Sequence, residues 1–343
     1  MDRLEASPAT CFWGFLDPDL DPVLSVSDGT ELTIEAVSHH AGDAPDLMMD
    51  DGIRALWAGI PEAERAPGVH VMTGPIAVAG ARPGDTLRVE LLELVPRLPY
   101  GSNCAAHWGL LYDRFGKERI TIYRLGEGPG FSETARPEFG YDFDGRDRYD
   151  VPGFVTAPDP RRRTPFGRAV EVAVRPHLGV MGVAPAEPGR RSSIPPGPFG
   201  GNVDNWRFGP GATVYYPVSM PGAGFYVGDP HFAQGDGEIC GTAIEASLGV
   251  RLRLSVVEGF PVASPVLETA THWFVHGFGA DLDDAMRMAA ELAVDFLVDH
   301  GGVTADEAYS LASVAVDVGV TQVVDGTLGC HAAIPKSLVT PPA

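Results

Sequence analysis

Residues 200–259 hold most of the side chains in this chain that could do chemistry together. Asp229 and His231 stand two apart, so on an extended chain their side chains share a face. Asp204, from a separate turn, can join them. Two carboxylates and an imidazole make a site for a divalent cation with a position left open. Zinc suits that donor set first and calcium second, and no pattern in the sequence asks for an organic cofactor. Asp236 and Glu238 repeat the two-residue spacing. Paired carboxylates push one pKa upward, so one of the two can act as general acid or base. Gln234 lies between these pairs as a further catalytic candidate. Cys240 offers a competing chemistry, a thiolate nucleophile with Glu238 or Glu245 as its base. Asn202, ahead of Asp204, and Glu245, behind the cysteine, are candidates for holding a substrate. Each has a plainer counterpart. An unpaired cysteine is more often a small buried apolar residue, and acids in turns often do no more than accept backbone N–H bonds.

The stretch resembles the acetamidase/formamidase family of amide hydrolases. The residues that carry the resemblance are Gly201-Asn202-Val203-Asp204, then Val227-Gly228-Asp229-Pro230-His231-Phe232-Ala233-Gln234-Gly235-Asp236-Gly237-Glu238, then Cys240-Gly241-Thr242-Ala243-Ile244-Glu245. It extends to His70 shortly before Thr73-Gly74-Pro75, to Leu178-Gly179 through Pro185, and to Thr321–Gly326 and Ile334–Lys336, nearly the whole chain. It implies hydrolysis of a small uncharged amide to carboxylate and ammonia, a β-sandwich core with helices added, and a homo-oligomer. Such a reaction needs a polarised carbonyl, an activated water or nucleophile, and a proton for the leaving ammonia. The family often opens with a His directly before a Trp-Gly pair, and here Phe12 stands there. That departure sustains an alternative, a relative that binds a small polar ligand without turnover. A third reading, an interaction module, rests only on Arg161-Arg162-Arg163.

The elements that must position these groups read as mainly β. Alternating apolar residues predict strands at 76–78, 86–94, 120–123, 169–174, 213–218 and 250–257, with a hairpin over 23–37 turning at Ser27-Asp28-Gly29. Arg82-Pro83-Gly84-Asp85 is a turn. His70, just before a strand, falls at the rim of a pocket, and His177 is a second-rank substrate candidate. Adjacent His39 and His40, if extended, point to opposite faces, so only one can wall a pocket. His107-Trp108 reads first as a packing pair. Two late helices give the C-terminal portion an α+β character. One covers Asp281–His300 with Gly301 as its cap, and the other starts at Thr304 with Glu307 completing a capping box and ends before Ser313. A strand follows over 314–324. The chain reads as one domain over 1–343 with a long surface excursion at about 126–165.

Composition sets the limits. With 46 acidic against 25 basic residues, the net charge of −21 argues against nucleic acid or an anionic membrane as partner. The 42 glycines and 31 prolines favour turns and short strands over a helical bundle. Four cysteines without a CxxC pair fit reduced thiols in a cytoplasmic protein. No segment reads as a signal peptide or a membrane span.

Overall fold

The structure is a computed structural model, and it describes residues 2–126, 132–142 and 161–339. It is mainly β, with the two late helices where the sequence places them. The largest sheet has nine strands. Its inner members are Thr30–Ala36, Leu248–Val257, Thr86–Pro96 and Thr213–Pro217, and it ends in His272–Gly279, Leu328–Pro335 and the edge strand Asp317–Gln322. Leu248–Val257 buries every second residue through Leu254, which fixes its register because a one-residue slip would expose the apolar face.

A second sheet runs Gly200–Asn202, His177–Gly182, Phe225–His231, Val71–Val78 and Cys11–Trp13. Ile34, Val89 and Leu252 of the first sheet and Met72, Val180 and Val227 of the second belong to one core, so the two sheets face each other across it as a sandwich. His177–Gly182 and Phe225–His231 are buried along their whole length, as strands covered on both faces must be. The second cover is a further core built on Trp13, Val71, Trp57, Cys104 and Ile122. It brings in a third sheet containing Tyr100–Ala105, Arg119–Leu125 and Thr134–Asp142, and the helix Asp51–Gly59.

Four expectations change. The hairpin over 23–37 does not form: Leu24–Val26 pairs with Val71–Val78, while Thr30–Ala36 pairs with Leu248–Val257. The turn at Gly29 moves the chain between sheets, and alternation alone cannot distinguish that from a hairpin. The first late helix spans Leu282–Gly301 and is capped by left-handed Gly302 rather than Gly301. The second has the expected capping box at Thr304 and Glu307, yet it runs to Ala315, so the last strand starts at Asp317. Within the excursion, Thr134–Asp142 is a strand paired with Arg119–Leu125, and residues 127–131 and 143–160 lie outside the described residues. Among the described residues no helix is long and apolar enough to cross a membrane.

Candidate active site

The acids converge at one end of the second sheet. Leu178 pairs with Pro230 and Val180 with Gly228, so Asp229 lies opposite Gly179. A Cβ at Gly179 would stand 2.5 Å from Asp204 Oδ1 and His231 Cε1 and 2.7 Å from Asp229 Oδ2. Only a residue without a side chain leaves room for those three groups to meet. Asp204 arrives from the turn after Gly200–Asn202. That turn is held by Gln234 Nε2 donating to Asp204 O at 2.6 Å and by Asn205 Nδ2 donating to His276 Nε2 at 3.0 Å. Glu245 bridges both Ser102 and His231, which ties the second sheet to the third.

Among the described residues four non-glycines have positive φ, and three are acids of this cluster: Asp204 at 51°, Asp229 at 48° and Glu238 at 44°. Left-handed backbone costs an ordinary residue about 1–3 kcal/mol and persists where the surroundings enforce it. Here it accompanies the turning of three carboxylates toward one point.

His231 is held from behind. His177 Nδ1 donates to Arg175 O at 2.6 Å, and His177 Nε2 lies 3.0 Å from both His231 Nδ1 and Gln234 Oε1, so His231 Nδ1 is engaged behind the site. His231 Nε2 is then the working nitrogen, 3.2 Å from Asp229 Oδ2 and 3.3 Å from Glu245 Oε2. Burial pulls the His231 pKa down, but Glu245 and Asp229 outweigh it and hold it well above the usual imidazole value. Burial pushes Asp229 upward, and His231 with His70 overrides that to keep it well below the carboxylate range. Asp204 is raised to about 7 by burial and by Asp229. Burial and Asp204 hold Glu238 and Asp325 far above the usual range, and burial with Asp229 raises Glu245.

A cavity of about 120 Å³ opens onto this cluster. It exceeds the roughly 10–15 Å³ that one water needs and falls well short of the roughly 300–1,000 Å³ of drug-sized pockets. Among the described residues Asn202 Oδ1, Asp204 Oδ1, Asp229 Oδ1, Glu245 Oε2 and Asp325 Oδ2 are buried there without a well-formed hydrogen bond, with His39 Nδ1 3.4 Å from Asp229 Oδ1 and His231 Nε2 3.3 Å from Glu245 Oε2. Buried oxygens go unpaired at a cost of about 1–3 kcal/mol each unless something else meets them. Asp204, His231 and Glu238 offer ligand atoms within 4.8 Å of one another, and so do Asp229, His231 and Glu245, and His39, His70 and Asp229. Inward-facing oxygens in surplus with an imidazole among them fit a divalent cation.

The candidates sort accordingly. Asp204, Asp229, Glu238, Glu245, Asn202 and His70 line the cavity, and His231 lies within the cluster beneath it. His70 Nδ1 donates to Ser193 O at 3.1 Å, leaving Nε2 3.7 Å from Asp229 Oδ2. His177 and Gln234 stand behind, as supports for His231 and Asp204. Asp236 does not reach the cavity: it is exposed, bound to Arg207 and Trp206 in a separate cleft. A shared face requires an extended chain, but Gly237 at φ 96° and Glu238 at φ 44° form a turn that sends the two acids apart. Cys240 is also off the cavity wall, with its Sγ accepting from Asn103 Nδ2 at 3.1 Å. Phe12 packs into the sandwich core against Phe15 and Tyr226, away from the cavity. Both His39 and His40 line the cavity, because a 3-10 turn at Ala41–Asp43 follows them and strand alternation does not apply. Asp325, just past the strand expected over 314–324, and Trp108, read as packing, line it too. An Asp-Gly pair after a strand looks the same whether its acid faces solvent or a cavity.

A β-sandwich that gathers buried carboxylates and histidines under one small cavity defines a small-molecule enzyme-type site rather than an interaction module. The chain belongs to the Acetamidase/Formamidase family, whose sequence profile matches residues 12–192 and 186–340. It is 31% identical over 298 residues to an acetamidase of Mycolicibacterium smegmatis, covering 75% of this chain and 68% of that one. It is 25% identical over 366 residues to a formamidase of Methylophilus methylotrophus, covering 91% and 85%. Its fold matches the crystal structure of an acetamidase from Bacillus halodurans with a TM-score of 0.75 and 26% identity, covering 98% of this chain and 97% of that one.

Proposed function

We infer that this chain is an amidase that hydrolyses the C–N bond of short linear amides to carboxylate and ammonia, and that a divalent cation assists it. Family membership and the acetamidase and formamidase relatives support the reaction. The cation reading rests on one observation, the surplus of buried oxygens that face the cavity without a well-formed hydrogen bond among the described residues. Asp204, Asp229 and His231 would hold the cation, with Glu245 completing the set. When bound, a divalent cation polarises a carbonyl and makes water a better nucleophile at neutral pH.

The remaining steps belong to the chain's own groups. Asn202 Oδ1 has no donor among the described residues and accepts from the substrate's NH₂, which orients the amide. Glu238, buried at the cavity wall, keeps its proton while the neighbouring acids are uncompensated; with their charge offset it would take the proton of the attacking water and return it to the leaving nitrogen. His177 donates away from the site and so fixes His231 with Nε2 forward. The cavity's enclosure keeps bulk water from competing for these contacts. The free cysteines suit a cytoplasmic enzyme, and a homo-oligomer is the family's expected assembly.

Ammonia release from formamide, acetamide and longer amides, with and without chelator, tests this alongside elemental analysis and the variant Cys240→Ala. We expect chelation to abolish release, a divalent metal to restore it, and Cys240→Ala to keep most of it. A dead Cys240→Ala in protein that carries no metal would replace the cation with the thiol. No release from any amide in metal-replete protein would remove the amidase reading.

A further inference from the structure

The floor and the mouth of the cavity differ in burial as well as in chemistry. Asp204, Asp229 and Glu245 on the floor are 2%, 4% and 2% exposed. The apolar lining residues Val69, Trp108, Ile194 and Val324 are all only half-buried. A molecule in the cavity therefore sets its polar end on the acids and its apolar part against these four side chains. Three of the four apolar groups are chain neighbours of residues at the site. Val69 precedes His70, Val324 precedes Asp325, and Ile194 follows Ser193, whose Oγ lies 3.0 Å from His70 Nδ1.

Trp108 comes from elsewhere, and it is braced. Its ring lies on Gly241, where a Cβ would stand 1.8 Å from the indole Cδ1 and 2.5 Å from Nε1. Gly241 sits at φ 91°, so the backbone as well as the ring demands glycine. The segment under the ring cannot retreat. Asn103 Nδ2 donates to Thr242 Oγ1 at 2.9 Å, and Leu110 N donates to Ile239 O at 2.9 Å. The ring also meets His107 at 4.7 Å between centroids, and His107 Nδ1 is 2.9 Å from the buried Glu118. The indole is a fixed wall.

We propose that Trp108, seated on Gly241, sets the length of acyl chain this cavity accepts, so that the substrates are primary amides whose short aliphatic tail ends against the indole. This rests on the amidase reading. The first methylenes gain contact with Val69, Ile194 and Val324, and each is worth about 10-fold or more in kcat/KM where it is buried. A longer tail meets the ring. The profile over a homologous series therefore climbs and then breaks.

The test is kcat/KM for formamide, acetamide, propionamide, butyramide and hexanamide with wild type, Trp108→Ala and Trp108→Phe. We expect a wild-type optimum at about two to four carbons. Trp108→Ala moves it to a longer chain and raises the hexanamide-to-acetamide ratio at least about tenfold, with Trp108→Phe in between. Ile194→Ala flattens the climb without moving the break. An optimum that stays in place in folded Trp108→Ala overturns the proposal, and if that variant does not fold, Trp108→Phe decides in the same way. Ammonia release from no amide would end the amidase reading instead. The same series is then titrated calorimetrically into wild type and Trp108→Phe. A chain-length optimum in Kd that shifts with the ring upholds the length gauge, and a flat or unshifted profile overturns it.

Discussion

Two polar networks in this molecule use the same residue types to opposite ends. On the outer face of the nine-stranded sheet, Arg251 meets Glu31 at 2.6 Å and Glu93 at 3.1 Å, while Arg253 meets Glu31 at 3.2 Å and Glu90 at 3.1 Å. Every acid there has an arginine and all remain part-exposed, so water screens what the pairs do not satisfy. Under the cavity, Asp204, Asp229, Glu238, Glu245 and Asp325 crowd around His231 with no arginine or lysine among the cavity's lining residues. Solvent stabilises the first network. The second holds more acid than its own bases neutralise, and burial makes that surplus expensive. A cation brought from outside would offset that surplus.

The largest effect expected from disturbing this contrast is at Asp229, whose carboxylate touches His231 and lies near His39 and His70. Asp229→Asn removes the charge nearest His231 while preserving size. We expect a fall in kcat of about 10³-fold or more and loss of bound metal. Activity within tenfold of wild type, with metal retained by elemental analysis, would place the cation elsewhere.

The surplus also has a stability signature. In metal-free protein Asp204 titrates near pH 7 against an ordinary value of 3.8, so between those values the folded chain holds a proton that the unfolded chain has released. Its contribution is complete below about pH 4 and is lost as pH rises through 7. Glu238, Glu245 and Asp325 shift the same way. His39 and His177 act on the acid side: held neutral by burial down to about 3, they withdraw stability as pH falls below 6.5. Below pH 6.5 the buried histidines oppose this fall, so chelated protein should lose roughly 1 °C or more in Tm between pH 6.5 and 7.5, where Asp204 gives up the last of its proton. Divalent metal should restore the alkaline limb but not the acid one. Asp204→Asn should flatten the alkaline limb without metal and leave metal little to restore. Melting curves at four pH values decide it, and an alkaline limb equally steep in the variant would show that Asp204 does not carry the surplus.

Gly179 comes next. Its φ is ordinary, so Gly179→Ala is a steric change alone, placing a methyl 2.5–2.7 Å from Asp204, His231 and Asp229. Those side chains must shift, and displacement on the ångström scale in a catalytic constellation costs about 10²-fold in rate. We expect that loss in kcat with the fold intact. A rate within threefold of wild type would mean the three groups have freedom that their packing hides.

The comparison also explains what the sequence disclosed. The helix Leu282–Gly301 and the capping box at Thr304 were legible because their determinants are local: a repeating apolar face and a hydroxyl three residues before a glutamate. The acids of the cluster were legible as a group because so many lie within one stretch. Their directions were not, because Asp204, Asp229 and Glu238 occupy left-handed backbone that an extended reading does not contain. That is why Asp236 seemed to pair with Glu238 and instead serves Arg207. His40 and Asp325 reach the cavity through tertiary placement alone, from segments about 285 positions apart in a chain of 343. The hairpin that never forms failed for the same reason, since partners for residues 24–36 come from strands far along the chain.

The smallest effect belongs to the exposed network. Arg253→Ala removes two of its ion pairs. Part-exposed pairs lose most of their attraction to water, and the Debye length of about 3 Å at 1 M salt screens the rest. We expect Tm to fall by no more than about 2 °C at low salt and the difference from wild type to vanish in 1 M sodium chloride. Amide turnover should match wild type, because nothing links this ladder to the cavity. The contrast sharpens if Asp204→Asn is carried through the same salt series, since a buried surplus is screened far less than an exposed pair. A pH-dependent gain from Asp204→Asn that persists in 1 M salt while the Arg253 effect disappears is the expected pair of results. If both vanished together, solvent would be reaching the acids under the cavity as freely as it reaches the sheet's outer face.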